Sequence, residues 1–316
     1  MLSRVAANLF WLGRYAERAE NAARLVDVTL RLASLPTEED GHADEGGVWH
    51  SALVSAGCEE SFYADHATAE PDAAVHHLVF DRRNPSSIVS CIEAARRNAR
   101  AVRTALTVNV WEALNTLWLD FDRRGAAAVA QNDLPELLDW VKFTAMTVRG
   151  AATDTMLRSD AYWFLQLGHF IERGDNTARI LDVKYHVLLP EHAPVGSAVD
   201  YFQWSALLRA LSAARTYGYV YREPVRAKNV AELVILRAEM PRSLAACTAQ
   251  VDRYLLAIAS DYGQRHRCQD MARDRYAKIR DVGVDDVFAY GLHEFLTDFI
   301  EENVDLSSAI AEAYLG

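Results

Sequence analysis

Apolar and polar positions follow a helical period along most of the chain. Over residues 3–35 the apolar side chains, among them Leu9, Phe10, Leu12, Tyr15, Ala19, Ala22 and Val26, fall almost all round a helical wheel. That distribution predicts a central helix rather than a surface one. The stretch 36–47 is acidic, glycine-containing and aperiodic, and it reads as a loop. Helical patterns resume over 48–58 and 71–80, and 81–85 predicts a turn. Ser86 or Ser87 then caps a long helix running to Trp118 or Phe121. A further helix is predicted over roughly 134–153.

The second half repeats this plan. Residues 1–28 and 156–183 align without a gap at an offset of 155 and are identical at 12 of 28 positions. The shared string comprises Gly13, Glu17, Arg18, Asn21, Ala23, Arg24, Asp27 and Val28, against Gly168, Glu172, Arg173, Asn176, Ala178, Arg179, Asp182 and Val183. Three shorter matches follow in the same order. His50-Ser51-Ala52-Leu53 pairs with Trp204-Ser205-Ala206-Leu207, Pro85-Ser86-Ser87 with Pro241-Arg242-Ser243, and Leu134, Glu136 and Leu138 with Leu292, Glu294 and Leu296. Their offsets are 154, 156 and 158. Ordered matches at nearly constant spacing predict a tandem duplication, residues 1–155 and then 156–316. The expected fold is one compact all-α helical bundle of two pseudo-two-fold-related repeats. The helical pattern over 149–158 predicts that no linker separates them.

Composition narrows the function classes. With 316 residues, 51% of them hydrophobic and 24% charged, the chain is globular and long enough for a large core. A net charge of −11 argues against nucleic acid, because phosphate binding requires a basic stripe. The local run Arg96, Arg97, Arg100 and Arg103 shares its predicted helix with Glu93 and reads as a solvated or ion-paired face. Cys58, Cys91, Cys247 and Cys268 lack metal or redox spacing and read as buried hydrophobes. No uncharged apolar run approaches the ~18 residues that would suggest a membrane span. No leader is expected at the start, and the expected location is cytoplasmic.

The duplicated polar string carries the candidate chemistry. On a helix, Gly13, Asn21 and Arg24 fall within about 40° of Glu17, on one narrow face. Glu20 and Arg24 form an acid-to-base pair four residues apart, kept in the second copy as Asp175 and Arg179. Gly13 and Gly168 lie mid-helix, where glycine costs about 1 kcal/mol relative to alanine, so a neighbour is expected to approach closely there. One reading of the string is a structural network in which buried charges satisfy one another. The other is a ligand site. Glu17, Glu172 and His169 are then the candidate catalytic groups, and Arg14, Arg18, Asn21, Arg24, Arg173, Asn176 and Arg179 grip a carboxylate, phosphate or amine. His169 stands where the first copy has Arg14, which gives His169-x-x-Glu172 on one helical face. That order is the reverse of the Glu-x-x-His pairs of carboxylate-bridged metal bundles, and no metal or other cofactor is predicted. A further pair, Glu112 and Asn115, reads as an ordinary helix surface.

The stretches 1–28, 84–103 (NPSSIVSCIEAARRNARAVR), 110–118 (VWEALNTLW) and 168–183 resemble the bacterial alpha-E family of all-helical proteins, as do those beginning at Gln203 and Met240. The chain departs from the family pattern at Ala7, where glutamate is frequent. The resemblance implies companionship with circularly permuted ATP-grasp ligases and transglutaminase-like proteins, in a system that forms peptide or amide bonds. It therefore implies an accessory helical protein that binds such a ligase or its substrate. A stand-alone enzyme using paired Glu and Arg residues in a central cavity is the alternative.

Overall fold

The computed structural model describes residues 1–34, 45–131, 133–187 and 198–316, and every regular element in them is helical. The first half comprises α1 (Ser3–Ala33), α2 (Glu45–Ala56), α3 (Glu59–Tyr63), α4 (Pro71–Val79), α5 (Ile88–Ala101), α6 (Val108–Gln131) and α7 (Leu134–Thr155). The second comprises α8 (Asp160–Val187), α9 (Ala198–Ala210), α10 (Ala214–Tyr221), α11 (Ala227–Ala231), α12 (Leu244–Tyr262), α13 (Arg267–Asp281), α14 (Val284–Tyr290) and α15 (Leu292–Ile310). The protein is an all-α bundle, as its periodicity predicts.

Helix α1 is central, buried on nearly every face from Leu9 to Val28, and α8 is buried almost continuously from Phe164 to Ala178. The two cross each other at the signature string. Around this crossing the neighbours correspond. Helix α1 packs on α5, α7 and α9, and α8 packs on α12, α15 and α2. The crossing is tight because both helices carry glycine at the contact. A Cβ on Gly13 would lie 2.1 Å from the carbonyl oxygen of Leu165, and one on Gly168 would lie 2.0 Å from that of Phe10. The close approach expected at these two residues is therefore each helix's own backbone against the other.

Local signals set the helix starts. Ser87 Oγ accepts from the Ser90 amide at 3.2 Å, so the cap predicted at Ser86 or Ser87 forms at Ser87, and Ser243 Oγ caps its matched helix by accepting from the Ala246 amide at 2.9 Å. The turn before α5 is held by Asn84, whose Nδ2 donates to the His77 carbonyl while its Oδ1 accepts from the Ser86 amide. Asp133 caps α7 in the same way.

Three expectations need correction. The helix predicted from Ser87 to Trp118 or Phe121 is two α-helices, because the chain leaves α-helical geometry at Val102, makes a 3-10 turn over Arg103–Ala105 and re-enters the α-helix at Val108. The break lets α6 pack on both α5 and α7, which a straight continuation does not allow. The helical pattern over 149–158 is likewise interrupted, with Met156 extended at ψ 138° and α8 starting only at Asp160. Helices α7 and α8 both pack on α1, so the chain has to turn between them. Of the predicted loop 36–47, residues 36–44 lie outside the described residues, and 45–47 form the start of α2.

All four cysteines are buried. Arg96 lies 3.8 Å from the Trp118 ring and donates to Asn115 Oδ1 at 3.0 Å, so of the pair Glu112 and Asn115 only Glu112 lies at the exposed helix surface, while Asn115 is half-buried against Arg96. Among the described residues no helix is long and apolar enough to cross a membrane.

Candidate functional site

The crossing of α1 and α8 creates two charged centres, each built on one signature glutamate. Helical spacing puts Glu17 and Glu20 on the side of α1 that faces α8 and α7. Glu17, 1% exposed, accepts from Arg173 through Nε and Nη2, both at 3.0 Å, and from Arg242 Nη1 at 2.9 Å. His169 Nδ1 lies 3.1 Å from its Oε2, and Arg149 Nη1 lies 3.5 Å from the same atom. Glu20 accepts from Arg24 Nη2 at 2.7 Å, from Arg149 Nη1 at 3.1 Å and from Arg242 Nη2. Arg24 also donates to the Ala210 carbonyl at 2.6 Å, which ties α1 to the end of α9.

The second centre mirrors the first across the crossing. Glu172, 2% exposed, accepts from Arg18 Nε at 2.5 Å, Arg18 Nη2 at 3.1 Å and Arg14 Nε at 2.7 Å. Arg14 continues to Ser307 Oγ at 2.9 Å. Asp175 accepts from Arg179 Nε at 2.7 Å, the counterpart of Glu20 with Arg24. Glu17 is thus held by Arg173 and Glu172 by Arg18, a reciprocal exchange between the two copies of one dipeptide. Asp27 reaches Lys142 on α7 at 3.0 Å, and Asp182 reaches His293 on α15 at 2.7 Å.

These contacts set the protonation states. Burial by itself pushes the Glu17 carboxyl up, but Arg173, Arg242 and Arg149 outweigh it and hold the pKa at about 2. Glu172 is likewise depressed, with Arg18 and Arg14 overcoming its burial. His169 is pushed well below its ordinary 6.5 by burial and then by Arg173 and Arg149, so it is neutral at physiological pH. Both glutamates are anions with their lone pairs largely committed to guanidinium groups.

Of the sequence-predicted residues, Glu17, His169 and Arg173 meet at the first centre, and Glu172, Arg14 and Arg18 meet at the second. Asn21, Asn176 and Arg179 do not touch either glutamate but line a cavity of about 220 Å³ beside Glu172 and Asp175. A space of only about 30 Å³ lies beside Glu17 and His169. The pair His169-x-x-Glu172 shares a helical face but not a centre, since His169 turns to Glu17 and Glu172 to the arginines of α1. Among the described residues no group of three or more His, Cys, Asp or Glu is placed to hold a metal ion. Sequence reasoning missed Arg149 and Arg242 as members of the first centre, and it treated Glu20 only as the helical partner of Arg24. The one available signal was Arg242 itself, a charged residue where the matched capping stretch has Ser86.

The chain belongs to the Alpha-E family, described as a predicted alpha-helical domain with a conserved ER motif, which it matches over residues 1–315. The Glu-Arg dipeptide occurs here at Glu17-Arg18 and Glu172-Arg173, the residues exchanged at the crossing. Among curated proteins the chain is similar to an uncharacterized protein of Mycobacterium bovis and to two of Mycobacterium tuberculosis. Each is 25% identical over 320 residues, an alignment covering 94% of this chain and 35% of the relative. The chain therefore spans about a third of the length of these relatives. No solved structure matches it.

Proposed function

We propose that this Alpha-E chain is a cytoplasmic, non-catalytic accessory subunit of a peptide- or amide-bond-forming modification system. In this reading it binds an ATP-grasp-type ligase or that ligase's substrate, with a transglutaminase-like protein as a further companion. The observation that carries the non-catalytic part is the commitment of both signature glutamates to arginines. A general base works best when its pKa lies near the operating pH. Glu17 lies at about 2, far below that range, and Glu172 is depressed in the same direction. The partner's chemistry comes from the family resemblance. The same reading takes residues 1–155 and 156–316 as two copies of one unit, supported by the reciprocal neighbours of α1 and α8.

One observation favours the alternative, an enzyme acting through the first centre. His169 is neutral, its Nδ1 faces Glu17, and its buried Nε2 has no hydrogen-bond partner beside the small space there. An imidazole oriented by a carboxylate is the arrangement of a general base.

Affinity purification of the tagged full chain from its native cells, followed by mass spectrometry, tests the proposal. Enrichment of an ATP-grasp-type ligase is expected, and its absence across independent purifications overturns the accessory reading. The enzyme reading instead requires a turnover that His169→Asn abolishes while the fold and partner capture persist.

A further inference from the structure

The two centres differ where their matched positions differ. Ser86 corresponds to Arg242, at the offset that pairs the two capped helices. Arg242 places its guanidinium between Glu17 and Glu20 and donates to both. The counterparts of those two acids are Glu172 and Asp175. With a serine at 86 no guanidinium enters from that side, and the cavity of about 220 Å³ lies there, with Ser86, Glu172 and Asp175 in its wall. On the order of seven water volumes fit such a space, enough for a small polar molecule.

The lining carries both signs of charge. Glu172 is already held by Arg14 and Arg18, but Asp175 takes only Arg179 Nε and lacks the donor that Arg242 supplies to Glu20, so Asp175 faces the cavity as an acceptor for a cationic group. Beside it on the same helix, Arg179 donates to Asp175 only through Nε, which leaves both its Nη groups uncommitted. Asn176, 6% exposed, has a buried Nδ2 without a hydrogen-bond partner, and it too lines the cavity. A buried donor of this kind costs stability until something accepts from it. The four ionised residues of the wall, Arg18, Arg179, Glu172 and Asp175, sum to zero formal charge. A singly charged ion would satisfy one half of this lining and face repulsion from the other. A small molecule carrying an ammonium and a carboxylate on one carbon satisfies both.

We infer that this cavity binds a free α-amino acid as its zwitterion, with the ammonium toward Asp175 and the carboxylate toward Arg179 and Asn176. The inference does not use the ligase partnership, so co-purification and ligand binding can fail separately.

The test is a titration of the isotope-labelled full chain with each of the common L-amino acids, following the side-chain amide signals of Asn21 and Asn176 by NMR. At least one amino acid is expected to shift both signals saturably. Its amine without the carboxylate, its acid without the ammonium, and inorganic phosphate should each bind at least tenfold more weakly. Ser86→Arg places in the cavity the group that Arg242 supplies at the other centre, and it should weaken binding at least tenfold without lowering the melting temperature. Arg179→Gln, at a side chain 31% exposed, should give a similar loss without adding bulk. The inference is overturned if no amino acid shifts these signals at millimolar concentration. It is equally overturned if a singly charged analogue binds as well as the zwitterion, or if Arg179→Gln binds undiminished.

Discussion

Glu17→Gln puts the buried network to a quantitative test. The substitution keeps the shape of the side chain and removes its charge, which leaves Arg173 and Arg242, 5% and 7% exposed, facing a neutral amide. Breaking a buried pair from one side costs about 3–5 kcal/mol, because the stranded charge cannot regain water. The depressed carboxyl gives an independent figure. A fall from 4.5 in the unfolded chain to about 2 in the folded one corresponds to about 3 kcal/mol. At about 2.1 cal/mol/K per residue, the unfolding entropy of 316 residues is about 0.7 kcal/mol/K. The melting temperature should therefore fall by roughly 5–8 °C, measured at pH 7 by scanning calorimetry or circular dichroism. The double variant Glu17→Gln/Arg173→Gln should lose less than the sum of the two single variants, since each single change already removes the shared contact. Acid provides a second arm. The folded pKa lies below the unfolded one, so the unfolded chain takes up the proton first. The stabilisation is whole above pH 4.5 and drains away as pH falls toward about 2, so the gap between wild type and Glu17→Gln should close over that window. A fall in melting temperature below about 2 °C at pH 7, or strict additivity in the double variant, would refute the reasoning.

Gly13→Ala and Gly168→Ala should each destabilise by about 3 kcal/mol or more in urea unfolding, because the new methyl meets a backbone carbonyl that cannot move alone. Helix propensity by itself favours alanine by about 1 kcal/mol, so the sign of the change separates close approach from local preference. The four cysteines should resist thiol reagents at pH 8 in the native protein and react only on unfolding. Burial raises their pKa values, to about 12 at Cys58, Cys91 and Cys247 and about 11 at Cys268, and shields the sulfurs. Rapid labelling of any of them without denaturant would contradict the packing described.

Much of this protein follows from local rules that act on neighbouring residues. The apolar positions all round residues 3–35 require a buried helix, and α1 is one. Ser87 and Ser243 start their helices because a hydroxyl at that position satisfies an amide three residues on. The two glycines require a close neighbour, and the pairing of Glu20 with Arg24 and of Asp175 with Arg179 needs only one helical turn. What the sequence could not supply is anything decided by which helix lies beside which. The breaks at Val102 and Met156 carry no glycine or proline; they exist because α6, α7 and α8 must each reach a particular neighbour. The same holds for the centre at Glu17. Arg149 and Arg242 lie 132 and 225 positions away, and a charge pair over such a span is invisible until packing brings its members within 4 Å. Only the tertiary structure reveals that a serine and an arginine at matched positions leave one centre filled and the other open. Volume inside a bundle belongs to all the helices around it, and no single stretch of sequence encodes it.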